Sequence, residues 1–189
     1  MTAEVPTPGL WLIGLGPGDL GHMTQRAMSV ARSCKKRYLE GYTALLPQDQ
    51  EGGLEELVGP WKRLMRPSVE NPEDLLEEAS EGAIALLVVG DPMQATTHID
   101  LEARCAERGV GFEVVPGMSA TSLAVSLSGL QSYRFGRQVT LPYAYGDYLA
   151  TSPLEMIDAN YVSHLHSIVL LDLDPTGMGS DPPKPMQPA

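Results

Sequence analysis

Basic residues are scarce in this chain. Thirteen lysines and arginines stand against 24 aspartates and glutamates, giving a formal net charge of −11. So acidic a protein is a poor fit to a nucleic-acid backbone, which needs a basic face. A docking patch for one protein partner remains open. Long apolar runs are also missing. The longest, such as Ile84-Ala85-Leu86-Leu87-Val88-Val89, are far too short to span a bilayer. The start Met1-Thr2-Ala3-Glu4-Val5-Pro6 lacks the positive n-region of a secretory signal. A cytoplasmic protein with no membrane partner is therefore expected. Cysteine is nearly absent. Cys34 and Cys105 have no metal or redox spacing, so both are expected as reduced thiols on helices.

What is present suffices for a core. The 189 residues are 43% hydrophobic, enough for one large domain or two small ones. Leu10-Trp11-Leu12-Ile13 reads as a buried strand entering a glycine turn. Thr24 to Cys34 reads as a helix capped by Thr24, with Ala27, Met28 and Ala31 near one face. Arg37 to Glu40 is a short strand, and Gly53 to Val58 a helical turn. Leu75 to Ser80 continues a helix opened by Asn71 as cap and Pro72. Ala83 to Val89 is the clearest strand. Ile99 to Arg108 is a helix closed by Gly109. Gly111 to Val115 is a strand, and Ser119 to Leu130 a helix of small residues. Such alternation implies an α/β domain with a mostly parallel sheet.

The register changes near Gln131 to Gly136, where an inter-domain hinge is expected. Beyond it come a strand (Gln138 to Tyr143), a helix (Pro153 to Ser163) and a strand (Ser167 to Leu173). The reading is an N-terminal α/β domain over 1–133, an incomplete second α/β domain over 134–173, and a tail over 174–189. The tail has five prolines and two glycines in sixteen residues, a composition that predicts disorder.

Gly16-Pro17-Gly18-Asp19-Leu20-Gly21 matches the G-x-G-x-x-G pattern of dinucleotide sites. That reading needs helix amides aimed at a pyrophosphate. Pro17 removes an amide, and Asp19 puts a negative charge where phosphate would sit. Both suit a cationic cofactor without phosphate; a simple tight turn is the competing reading. Gly90-Asp91-Pro92-Met93-Gln94-Ala95-Thr96-Thr97-His98 follows the strongest strand, where ligands bind in open α/β sheets. Asp91 could accept from a ribose hydroxyl or an ammonium, or merely start a turn, with Thr96 or Thr97 capping the next helix. His98 is a possible base, although a histidine at a helix start is more often structural. His164 and His166 would share a face on a strand, but no third ligand accompanies them, so no metal is expected.

Together these motifs resemble the tetrapyrrole methylase superfamily, through the strand and glycine loop and through Val115-Pro116-Gly117-Met118-Ser119. Four further segments resemble the diphthine synthases in order and spacing. They are Tyr38-Leu39-Glu40-Gly41-Tyr42-Thr43; Gly90-Asp91-Pro92-Met93 with Ala95-Thr96-Thr97-His98; Gly129-Leu130-Gln131 with Tyr133-Arg134-Phe135-Gly136; and Leu165-His166-Ser167 with Leu170-Leu171-Asp172. The resemblance covers roughly residues 10 to 173. It implies a tetrapyrrole-methylase-like α/β fold and S-adenosyl-L-methionine as cofactor. It also implies a homodimer that methylates the 3-amino-3-carboxypropyl-histidine of translation elongation factor 2. Carried over by position, Pro17, Asp91, Gln94, Ser119, Ala120 and Leu171 would bind the cofactor. Asp91 is the one candidate catalytic residue. Members of the family continue well past the Leu171-Asp172 strand, so a C-terminally truncated member of impaired activity is expected. A cobalamin- or sirohaem-pathway methylase and a non-catalytic binding or dimerisation module are the alternatives.

Overall fold

A computed structural model describes residues 6–94, 96–144, 147–174, 178 and 183–186. The chain forms two compact units, 1–120 and 121–189. This division falls thirteen residues before the boundary expected at 133/134.

The first unit holds a five-stranded sheet, all of whose pairings are parallel. Its strands are β1 (Gly9–Gly14), β2 (Lys36–Glu40), β3 (Lys62–Leu64), β4 (Ala83–Val88) and β5 (Phe112–Val115), in spatial order β3-β2-β4-β1-β5. Its helices are α1 (Gln25–Ser33), α2 (Gln48–Val58), α3 (Arg66–Glu70), α4 (Glu73–Glu81) and α5 (Ile99–Arg108). Every residue of β1 and β4 is buried. A strand buried on both faces must read as a continuous apolar run, not an alternating one. Alternate side chains serve two cores. Trp11, Ile13, Ala85 and Leu87 face Ala27, Val30 and Ala31 of α1 and Leu54 and Val58 of α2. Leu10, Leu12, Ile84 and Leu86 face Val69 of α3, Leu75, Leu76 and Ala79 of α4, and Leu101 and Cys105 of α5.

Local signals account for several boundaries. The Thr24 hydroxyl accepts from the Ala27 amide at 3.0 Å, capping α1. Gly109 closes α5 in the left-handed region, at φ +66°, where a side chain would be strained. Asn71 does not cap α4. The capping position is Pro72, and the Asn71 side-chain Nδ2 donates back to the Pro67 carbonyl at 3.3 Å. Asn71 instead closes α3, which the sequence did not suggest. Two differences concern weak patterns. Helix α2 starts at Gln48, well before Gly53, and β3 is a three-residue polar strand at the sheet edge.

The second unit contains α6 (Ala120–Ser128, whose first residue belongs to the first unit), β6 (Val139–Leu141), α7 (Ser152–Val162) and β7 (Val169–Leu171). Strands β6 and β7 pair in parallel. Asn160 is buried beneath them and organises the unit. It accepts from the Arg137 amide at 3.0 Å and donates to the Arg137 carbonyl and the Ser167 hydroxyl, each at 2.8 Å. Of the tail expected to be disordered, 175–177, 179–182 and 187–189 lie outside the described residues. Within it, the Met186 amide donates to the Asp172 carbonyl at 3.0 Å.

Candidate functional site

The order of strands selects one place on the first sheet. β1 and β4 are neighbours, yet the chain leaves β1 toward α1 on one face and leaves β4 toward α5 on the other. Connections that diverge this way open a crevice at the carboxyl ends of the two strands. The glycine loop and the Asp91 loop meet there. The Gly90 amide donates to the Gly16 carbonyl at 2.7 Å, and the Gly16 amide to the Gly90 carbonyl at 3.2 Å. Both glycines have positive φ, +83° and +86°, a conformation that favours glycine.

The loop after β5 joins them. A Cβ on Gly14 would lie 2.5 Å from the Gly117 nitrogen and 2.8 Å from the Gly90 oxygen. Three backbones therefore converge where no side chain fits. Asp91 locks the arrangement. One carboxylate oxygen accepts from the Met93 amide at 3.0 Å, and the other from the Gly117 amide at 3.2 Å. Each oxygen keeps a second lone pair for a ligand. Above Gly90, nothing lies within 4 Å of the position a Cβ would take, so a ligand can approach the backbone.

The loop after β1 is not a phosphate cradle. No α-helix begins within it; Leu20–His22 is a single 3-10 turn, and α1 starts only at Gln25. Asp19 caps that turn, accepting from the Gly21 amide at 2.8 Å, and is exposed. Its charge thus has a local structural use as well. Even so, residues 14–22, 90–98 and 116–119 contain no lysine or arginine. A loop set with carboxylates and backbone groups but no cationic side chain fits a sulfonium and misfits a pyrophosphate.

Of the site residues expected from the sequence, Pro17 is half-buried beneath the turn closed by the Gly18 amide on the Gly16 carbonyl, at 2.9 Å. Gln94 is exposed, and its amide donates to the Asp91 carbonyl at 3.2 Å. Ser119 is buried and Ala120 opens α6. The structure thus places Pro17, Asp91, Gln94 and Ser119–Ala120 on the connections leaving β1, β4 and β5. Leu171 ends β7 in the second unit. Ala95 lies outside the described residues.

His98 is almost wholly buried, at 1% exposure. Its Nδ1 lies 3.0 Å from the Pro92 carbonyl. A carbonyl can only accept, so Nδ1 carries the proton. Burial holds the imidazole below its usual 6.5; the ring is neutral and Nε2 is a bare acceptor. Neither threonine caps α5 with its side chain: the capping position is His98 itself, and the Thr96 hydroxyl accepts from the His98 amide at 3.2 Å.

Sequence reasoning missed a second buried polar group, Glu40. Glu40, at the end of β2, is also 1% exposed. Its Oε1 accepts from the Tyr42 amide at 3.1 Å, the Thr43 amide at 2.8 Å and the Thr43 hydroxyl at 2.9 Å. Burial raises its carboxyl above the usual 4.5, against the pull of those donors and of Arg66. The Tyr42 ring meets His98 edge-on at 6.4 Å, and the Arg66 guanidinium sits 5.1 Å from its centroid. The only signal was an acidic residue following Tyr38 and Leu39 at the end of a short strand. Elsewhere, burial pushes Cys34 and Cys105 up to about 11, so both are inert thiols. His164 adopts φ +57° after α7, and His166 packs on Phe135 at 5.7 Å; they do not share a strand. Among the described residues no cluster of three or more metal-ligating groups occurs.

Comparison with known proteins places this architecture. The family model of tetrapyrrole (corrin/porphyrin) methylases matches residues 9–172. A diphthine synthase of Methanoregula boonei is 39% identical over 166 residues, covering 87% of this chain and 66% of that one. One of Halorubrum lacusprofundi is 39% identical over 181 residues, covering 93% and 68%. A crystal structure of diphthine synthase superposes with a TM-score of 0.78 at 32% identity, covering 88% of this chain and 65% of that one. The chain spans slightly under two thirds of the length of the Methanoregula relative.

Proposed function

The chain belongs to the tetrapyrrole methylase family, among the diphthine synthases, and from that membership we propose that it is an S-adenosyl-L-methionine-dependent methyltransferase of diphthamide biosynthesis. Its substrate in this reading is the 3-amino-3-carboxypropyl-histidine of translation elongation factor 2, in the cytoplasm, with the enzyme a homodimer. Among the described residues no helix is long and apolar enough to cross a membrane. The observation that carries the proposal is the convergence of three cation-free loops at the switch point of the sheet, in a chain 39% identical to diphthine synthases.

S-adenosyl-L-methionine would supply a methyl group on a positively charged sulfur. The residues of this chain bind and orient. Pro17 walls the site, and the spare lone pairs of Asp91 accept from the ligand's hydroxyl or ammonium donors. Gln94, Ser119, Ala120 and Leu171 complete the set carried over by position. Methyl transfer from a sulfonium is an in-line displacement, so alignment and exclusion of water supply most of the acceleration. The attacking amine must be unprotonated. Its proton passes to water in this reading: His98 is buried and Asp91 is held by two amides. Asp91 therefore acts by positioning.

Titration calorimetry with S-adenosyl-L-methionine tests the reading. Saturable binding that is lost in Asp91→Ala is expected. A folded protein that shows no binding would overturn it. Binding without methyl transfer to the elongation factor intermediate would favour a non-catalytic module.

A further inference from the structure

One half of the Asp91 clamp runs through a single peptide plane, the one joining Pro92 to Met93. The N–H of that peptide donates to Asp91 Oδ1 at 3.0 Å. Its C=O accepts from His98 Nδ1 at 3.0 Å, six residues further along the chain. A peptide is planar, so fixing the direction of the C=O fixes the direction of the N–H. His98 and Asp91 therefore hold opposite ends of one rigid unit. Pro92 is buried and has no N–H of its own, so its carbonyl is its only backbone polar group. A carbonyl left there without a donor is costly. A carboxylate is rigid as well: turning Oδ1 away from Met93 carries Oδ2 away from the Gly117 amide, now 3.2 Å distant.

The imidazole is itself anchored. The His98 amide donates to the Thr96 hydroxyl at 3.2 Å, and its carbonyl accepts from the Leu101 amide at 3.0 Å, where α5 begins. Leu101 and Cys105 fix α5 in one of the two cores. The Tyr42 ring meets the imidazole edge-on at 6.4 Å, and the Tyr42 amide is tied to Glu40 Oε1 at 3.1 Å. Core elements thus set the ring that sets the peptide.

We propose that His98 is a positioning residue: it fixes the Pro92–Met93 peptide so that Asp91 presents its carboxylate to the ligand, and it does not touch the ligand itself. That a ligand binds at Asp91 rests on the function proposed above. The link from His98 to Asp91 rests on the hydrogen bonds alone. A histidine that only fills the core would stabilise the protein without setting Asp91.

One spectrum and two variants of the full chain test this. In the ¹⁵N-histidine spectrum the His98 ring proton is expected on Nδ1; a proton on Nε2 alone would overturn the proposal. His98→Leu removes the donor. It should speed exchange of the Met93 and Gly117 amides about tenfold relative to those of β1 and β4, and weaken S-adenosyl-L-methionine about tenfold in calorimetry. His98→Asn places a side-chain N–H close to where Nδ1–H stood, and should restore most of both. Unchanged exchange or unchanged affinity in His98→Leu returns His98 to a core-filling role. Equal losses in the two variants do the same. If His98→Leu does not fold, the ring tautomer and His98→Asn decide, and a tenfold loss in folded His98→Asn counts against the proposal. If the unmodified chain does not bind S-adenosyl-L-methionine, the methyltransferase reading falls, while the exchange of Met93 and Gly117 still decides the link.

Discussion

At the scale of single residues, the site is built from contacts that tolerate no additions. Gly14 sits with its missing Cβ 2.5 Å from the Gly117 nitrogen, backbone against backbone. Neither partner is a flexible side chain that could move aside. Gly14→Ala is therefore expected to destabilise the protein by about 1–3 kcal/mol, the usual cost of overpacking, read from urea denaturation. An unchanged midpoint would show that the loops separate freely. Two buried titratable groups give the protein opposed pH responses. Glu40 is held above 4.5 by burial; a raised folded value gives a contribution present below 4.5 and lost as pH rises through it. His98 is held below 6.5, also by burial. Its contribution is present above 6.5 and lost as pH falls through the folded value. Stability should thus decline as pH falls below 6.5, and His98→Gln should flatten that decline. Parallel profiles for the two proteins would exclude His98 as the source. Little of this was legible in the sequence. The Asp91 motif could be placed after β4, because position after a buried strand is a sequence property. The double clamp on Met93 and Gly117 was not, because Gly117 is distant along the chain. Glu40 and Arg66 were missed for the same reason: burial and partners depend on neighbours that only the fold brings together.

At the scale of elements, legibility followed the strength of the local physics. Strands β1 and β4 are continuous apolar runs buried on both faces, and they appeared where expected. Helix α5 carries both an apolar stripe and a glycine stop, so its limits are the ones the sequence suggested. Helix α2 lacks a side-chain cap and contains Gly52 and Gly53, so only its second half, Gly53 to Val58, stood out. Strand β3, Lys-Arg-Leu, has no periodicity to read; its pairing with β2 makes it a strand. Two substitutions test this account. Thr24→Ala removes the acceptor for the Ala27 amide and should cost about 1 kcal/mol. Gly52→Ala adds a Cβ that meets nothing within 4 Å, in the middle of a helix, and should gain about 0.5–1 kcal/mol. Thermal melts of the two variants should move in opposite directions. A loss for Gly52→Ala would mean that α2 needs its glycines for a reason other than packing.

At the scale of the whole chain, the two units differ in what holds each together. The first has two cores, one on each face of a five-stranded sheet. The second has a two-stranded sheet whose β7 residues are only half-buried, organised around the hydrogen bonds of Asn160. A two-stranded sheet is marginal by itself, and hydrogen bonds net far less than apolar burial. Opening free energies should therefore differ between the units. Amide exchange by mass spectrometry is the direct measurement. Amides of β1 and β4 should exchange only through global opening of their unit. Those of β6 and β7 should exchange at least ~100-fold faster, corresponding to about 3 kcal/mol less protection. Asn160→Ala should widen the gap by exposing β6 and β7 further, while leaving β1 and β4 unmoved. Equal protection in both units would contradict this picture, since it would require a source of stability in the second unit other than its own sheet and Asn160. If S-adenosyl-L-methionine binds as proposed, the added protection should appear first in the connections leaving β1, β4 and β5. Those loops carry the Gly16–Gly90 bridge and the Asp91 clamp, and a ligand stabilises most the local openings that its binding prevents.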